Sequence, residues 1–294
     1  MNRFSLNYAP HLGLNAPDTG MFRAHAGPNL VDQIRFAHAQ GFRAIEDNFL
    51  KSRPTDTQDQ IADTLRDLEM QMGVFVATFS TASPMHGRYE PNQPSFVSAE
   101  RHHVDTILKE IRESAELASR VGAKWVTVLS GGEDPRIERG YQTAQMVETL
   151  RIAAPTAADA GVTLGLEPIN RRDWPGTFMH TIAQGYEIVR AVDHPAVKLL
   201  FDVYHTQVET GRILDQLDQV WDEVVYMQFA DNPGRTGPGT GEINAERLFA
   251  HLKRRGFEGV IGIEHDQAEP GLPGERLILE SYRALERQIE GEAR

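Results

Sequence analysis

The chain has no cysteine among its 294 residues. That excludes a disulfide framework, a zinc–thiolate site and a cysteine nucleophile. Cationic side chains are also scarce, 30 Lys and Arg against 42 Asp and Glu, for a formal net charge of −12. Nucleic acid favours a basic surface, so no nucleic-acid partner is expected. A small anionic substrate stays open, because one local arginine can hold an anion. No apolar run approaches the roughly 20 residues needed to span a bilayer, so no membrane partner is expected. The segment Met1-Asn2-Arg3-Phe4-Ser5-Leu6-Asn7-Tyr8 lacks the apolar core of a signal peptide. A cytoplasmic location is the expectation.

What the chain does have is alternation. Short β-rich runs at 3–8, 42–47, 74–80, 124–130, 162–168, 197–203, 223–230 and 259–265 are the expected strands. Helical stretches are expected at 29–40, 56–72, 98–121, 138–160, 181–192, 209–220, 244–255 and 274–289. Strict strand–helix alternation implies a parallel sheet with right-handed crossovers. Eight such units in one chain suit an α/β fold of the (β/α)8 TIM-barrel type better than an open sheet. Lys109, Ile111, Leu117, Ala118 and Val121 read as one helical face, and Leu65, Leu68 and Met72 as another. Gly122, Gly161 and Gly256 stand where helices should stop. No composition break marks a boundary, so 1–294 reads as a single domain. Two long segments rich in Gly, Pro, Asn and Ser, 9–28 and 81–97, follow strands 1 and 3 and are expected to wall or cover a site.

Four apolar runs each end on one oxygen-bearing polar residue: Glu167, Asp202, Gln228 and Glu264. The steps are 35, 26 and 36 residues, each about one strand–loop–helix–loop unit. Repetition at that step puts the four at one height on neighbouring parallel strands, at the carboxyl face where barrel active sites lie. Carboxylates brought that close repel unless a cation sits among them. A metal site is therefore expected. Oxygen donors without sulfur suit one Mg²⁺ or Mn²⁺ ion, with Co²⁺ or Zn²⁺ able to substitute. No organic cofactor is expected.

The words around these residues are Leu166-Glu167-Pro168-Ile169-Asn170, Phe201-Asp202-Val203-Tyr204-His205, Gln228-Phe229-Ala230-Asp231-Asn232-Pro233-Gly234-Arg235, Pro238-Gly239-Thr240-Gly241-Glu242-Ile243-Asn244 and Gly262-Ile263-Glu264-His265. In that order they resemble the hydroxypyruvate isomerase family, within the xylose-isomerase-like (β/α)8 superfamily that also holds the ketose 3-epimerases. The resemblance is strong from Gly161 to Asp266 and weaker before it. It implies that Glu167, Asp202, Gln228 and Glu264 hold the metal and that Glu167 and Glu264 are also the acid/base pair. It further implies that His205 and Arg235 contact substrate oxygens. The 3-epimerases generally carry histidine where this chain has Gln228, so the resemblance points to the isomerase side. The implied reaction moves a proton between adjacent carbons of a small hydroxy-oxo acid or sugar through an enediolate.

Residue chemistry agrees with those roles. A cation beside a carbonyl and its neighbouring hydroxyl stabilises the developing enediolate. One carboxylate takes the proton and another returns it. His205 is expected on the loop beyond strand 6, as a donor to a substrate oxygen. Arg235 offers a fork to a carboxylate, with a salt bridge to Glu242 or Asp231 as its structural alternative. Glu242 reads equally as a site residue or a loop-ordering one. Glu46, at the end of strand 2, is a candidate partner for His205 or substrate. Trp174 is a candidate cover over the substrate and His86 a candidate pocket residue. The alternatives are a ketose 3-epimerase or another sugar isomerase and, more remotely, a metal-dependent lyase or hydrolase. Barrel nucleases of the abasic-site type need several histidine ligands and a basic groove, whereas strands 5 to 8 here end in Glu, Asp, Gln and Glu and the chain is acidic. A homodimer or homotetramer is compatible with the sequence, which does not select one.

Overall fold

A computed structural model describes residues 3–81 and 92–291. Its strands in chain order are β1 (Asn7–Pro10), β2 (Ala44–Ile45), β3 (Gln71–Met72), β4 (Trp125–Val128), β5 (Thr163–Leu166), β6 (Val197–Asp202), β7 (Val224–Phe229) and β8 (Val260–Ile263). The helices are α1 (Arg23–Ala26), α2 (Leu30–Ala39), α3 (Thr55–Asp67), α4 (Arg101–Val121), α5 (Arg139–Asp159), α6 (Ile182–Val192), α7 (Val203–Glu209), α8 (Ile213–Val220), α9 (Ala245–Arg254) and α10 (Leu272–Gly291). Six strands form one sheet in the order β1-β8-β7-β6-β5-β4, and β2 pairs with β3. The pairings of β1 with β8, β2 with β3, β4 with β5, and β5 with β6 are all parallel. Further parallel bridges join His11 to Glu46, extending β1 along β2, and Val76 to Thr127 on β4. These parallel pairings, with the last strand beside the first, match the connectivity of a (β/α)8 fold.

The described residues divide into two compact units. The first comprises 1–73 and 227–294, and the second 74–226. In the first, Tyr8 lies edge-on to both Phe249 and Tyr282, at centroid distances of 5.5 and 5.0 Å, so β1 packs on α9 and α10 through aromatic edges. In the second, α4 buries Ile107, Ile111, Ala115, Ala118 and Val121 at helical spacing. Lys109, expected on that face, is exposed and lies 3.7 Å from Glu113 instead. Gly122, Gly161 and Gly256 have φ of 72, 70 and 71°, the left-handed geometry that ends a helix.

The structure moves several expected boundaries. Met72, expected in a helix, is in β3, because α3 stops at Asp67 and Gly73 then donates to the Ile45 carbonyl at 2.7 Å. The run 74–80, expected as strand 3, pairs with β4 around Val76: the Ala77 amide donates to the Thr127 carbonyl and the Thr127 amide to the Phe75 carbonyl, at 2.9 Å each. The segment 9–28 is not all loop: β1 continues to Pro10, and α1 lies inside it. The buried Glu275 carboxylate accepts from the Ala24 and His25 amides at 2.6 and 2.9 Å, which fastens α1 to α10. Most of 81–97, including the candidate His86, lies outside the described residues.

Candidate metal centre and active site

In the second unit, β5 delivers Glu167 and β6 delivers Asp202. Both are buried, at 5% and 2% exposure. Helix α7 starts at Val203 with no intervening loop, and Asp202 is its cap: Oδ1 accepts from the His205 amide at 2.8 Å. His205 is therefore on a helix, not on a loop as expected. One helical turn returns its ring to the strand end, with Nε2 at 3.7 Å from Glu167 Oε1. Ligand atoms of Glu167, Asp202 and His205 all lie within 4.8 Å of one another. Two buried carboxylates at that separation are costly without a counter-cation.

His205 itself is set up as a donor. Asn170 Nδ2 lies 2.6 Å from His205 Nδ1, and the Asn170 amide approaches the same atom at 3.5 Å. The Asn170 amide orientation is fixed in turn, because its Oδ1 accepts from the Asp173 amide at 2.9 Å. With Nδ1 accepting, Nε2 carries the proton and faces Glu167. That tautomer suits a substrate contact and not a metal ligand. Asn170 stands in the quoted Glu-Pro-Ile-Asn motif, but its role was not read from sequence. Trp174 is half-buried and its amide donates to the Asn170 carbonyl at 3.2 Å, which places it in the same turn after β5.

In the first unit, Glu264 follows β8 and is held at both oxygens. Asn48 Nδ2 donates to Oε1 at 2.9 Å, and Arg235 donates to Oε2 at 2.5 Å. Arg235 thus forms an ion pair with Glu264. Glu242 is exposed and accepts from Asn232 Nδ2 at 2.9 Å, a loop-ordering role. Asn48 was missed from sequence, although Glu46-Asp47-Asn48 ends a strand as the other candidates do. Gln228, fully buried on β7, donates Nε2 to Glu46 Oε1 at 3.3 Å. Its Oε1 is buried with no hydrogen-bond partner among the described residues. A buried acceptor in that state is costly unless something electropositive meets it, and a cation does so. A buried oxygen in that state fits a metal ion.

Gly262 explains why Glu46 fits. A Cβ there would lie 1.9 Å from Glu46 Oε2 and 3.1 Å from Gln228 Cγ. Both neighbours are buried, so little can move. Gly262→Ala is expected to destabilise the fold by about 2–3 kcal/mol, as overpacking does. Denaturant titration of the variant checks this.

Behind Glu264, His265 and His11 form a buried pair, with His11 Nε2 at 3.2 Å from the His265 carbonyl. A carbonyl only accepts, so Nε2 of His11 carries the proton. Burial pushes the pKa of each histidine down to about 4. The unfolded chain takes a proton on each near pH 6.5. The native chain resists until about pH 4, so stability is unaffected above 6.5 and is lost as pH falls between 6.5 and 4. Thermal midpoints measured across that window are expected to fall, and to fall less in His11→Gln.

Residues 34–288 match the family model of the xylose isomerase-like TIM barrel, and the chain belongs to that family. It is 30% identical over 245 residues to the 2-oxo-tetronate isomerase of Cupriavidus necator, covering 83% of this chain and 89% of that protein. It is 32% identical over 161 residues to the hydroxypyruvate isomerase of Escherichia coli (strain K12), covering 53% of this chain and 62% of that protein. A solved L-ribulose 3-epimerase superposes with a TM-score of 0.76 at 18% identity, covering 98% of this chain and 97% of that one. That likeness shows the fold.

Proposed function

We propose that the chain is a divalent-metal-dependent isomerase of small hydroxy-2-oxo acids. The observation that carries this reading is the buried approach of Glu167 and Asp202, with the donor face of His205 beside them. Glu167, Asp202, Gln228 and Glu264 are the ligand set, and Mn²⁺ or Mg²⁺ suits their oxygens. When bound, the ion supplies positive charge beside the substrate carbonyl and so lowers the cost of the enediolate. The relatives that act on 2-oxo-tetronate and on hydroxypyruvate support the substrate class.

The residues divide the remaining work. Glu167 and Glu264 are the two carboxylates that exchange the proton. In 2-oxo-tetronate, one removes the proton at C3; as a proton returns to C2, the C3 hydroxyl proton passes to the C2 oxygen, leaving a hydroxyl at C2 and the carbonyl at C3. His205 donates Nε2–H to a substrate oxygen. Arg235 steadies Glu264 and meets the substrate carboxylate. Trp174 shields the reactive carbons from water. Residues 1–294 act as one (β/α)8 domain. A cytoplasmic location fits the cysteine-free composition. The exposed Ile137, Tyr141, Ile152, Leu272 and Leu277 offer apolar area for a homodimer or homotetramer.

The test is incubation of metal-loaded protein in D₂O with 2-oxo-tetronate, hydroxypyruvate and a panel of ketoses, beside a chelated control. NMR is expected to show metal-dependent conversion of an acid, with one deuterium on the former carbonyl carbon. Inversion at C3 of a ketose, with no conversion of either acid, would turn the assignment to a 3-epimerase.

A further inference from the structure

The loop at 231–243 is built around one carboxylate. Asp231 is fully buried. Its Oδ1 accepts from the Asn232 and Ile243 amides at 2.9 and 3.0 Å, and its Oδ2 from the Gly239 and Gly241 amides at 2.9 Å each. Its own amide donates to the Thr236 carbonyl at 2.8 Å. The loop is closed again by Glu242, whose amide donates to the Asn232 carbonyl at 2.7 Å. Packing around the carboxylate is tight: a Cβ on Gly241 would lie 2.3 Å from the Asn232 carbonyl oxygen and 2.6 Å from Asp231 Oδ1.

The loop carries Arg235 in a conformation that a non-glycine residue rarely keeps, with φ of 50°. Such a backbone persists only where its surroundings over-determine it, and it recurs at functional positions. Here it is held from both sides. The Thr236 carbonyl is bound by Asp231, and the Arg235 carbonyl by the Asp266 amide at 3.0 Å. The result is a guanidinium aimed at Glu264 Oε2.

We infer that Asp231 is the positioning residue of the active site, fixing through four loop amides the place of Arg235 and, through Arg235, the carboxylate of Glu264. The inference rests on the proposed roles of Arg235 and Glu264. Asp231 does this as an anion with acceptors on both oxygens. An asparagine would present N–H to two amide donors and open the loop on that side.

The experiment is a double-mutant cycle on metal-loaded protein with 2-oxo-tetronate and hydroxypyruvate. Asp231→Asn is expected to lower kcat/KM about 30-fold in the native background and less than about threefold in an Arg235→Ala background, as coupled neighbours do. Rates are compared at saturating metal, so that the loss reads positioning and not occupancy. Amide hydrogen exchange at Gly239, Gly241 and Ile243 should quicken. If Asp231→Asn fails to fold, Gly241→Ala displaces the same carboxylate and enters the cycle in its place. Equal losses in both backgrounds, or no loss, would overturn the positioning role while leaving the site assignment standing. An Arg235→Ala variant with unchanged kcat/KM would instead overturn the role given to Arg235, and the inference with it.

Discussion

Asp202→Asn is expected to leave a folded protein that has lost its metal. Two functions meet in this side chain. As a helix cap it holds α7 through the His205 amide, and asparagine caps about as well as aspartate. The thermal midpoint should therefore change little, and His205 should stay where it is. As a ligand the residue loses its charge, and an amide oxygen is a weak substitute beside the remaining carboxylates. Metal affinity should fall by more than tenfold, as ligand changes do, and turnover by about 10³. Elemental analysis after desalting reads the first effect and the substrate assay the second. Full metal content in the folded variant would remove Asp202 from the ligand set.

Glu167→Gln is the second large effect. The glutamine preserves shape and an oxygen donor but cannot accept a proton. General acid–base catalysis is worth about 10²–10⁴, so turnover should drop within that range even when excess metal restores occupancy. The measurement that isolates the role is wash-in of solvent deuterium into unconverted substrate. If Glu167 removes the first proton, exchange and conversion disappear together. If Glu264 removes it, Glu167→Gln retains exchange and loses conversion. Parallel data for Glu264→Gln should give the opposite pattern. Losses only in metal affinity, with full turnover at saturating metal, would leave Glu167 as a ligand alone.

Much of the fold was legible in the sequence because strand period and strand spacing are global signals. Glu167, Asp202, Gln228 and Glu264 terminate apolar runs one unit apart, and parallel pairing turns that spacing into position. What escaped was local geometry. Val203-Tyr204-His205-Thr206 is rich in residues of low helix propensity, so the start of α7 read as loop after strand 6. The Asp202 cap overrides that propensity. Strand 3 read as 74–80 because its residues are apolar, and its pairing with β4 lies around Val76. Asn48 and Asn170 were invisible as site residues, since a lone asparagine after a strand is ordinary turn chemistry. Only the structure shows that one clamps Glu264 and the other fixes the His205 ring. His86 falls outside the described residues, and the structure assigns it no place.

The asparagine behind His205 bears on metal choice. An imidazole whose Nδ1 is already occupied by amide donors keeps its proton on the nitrogen that faces Glu167. Turned that way, the ring presents an N–H and no lone pair toward Glu167. Nitrogen donors are what give the later transition metals their lead over the earlier ones. In the proposed site, an imidazole held as a donor by Asn170 would leave the ion to oxygen donors, which suit magnesium and manganese.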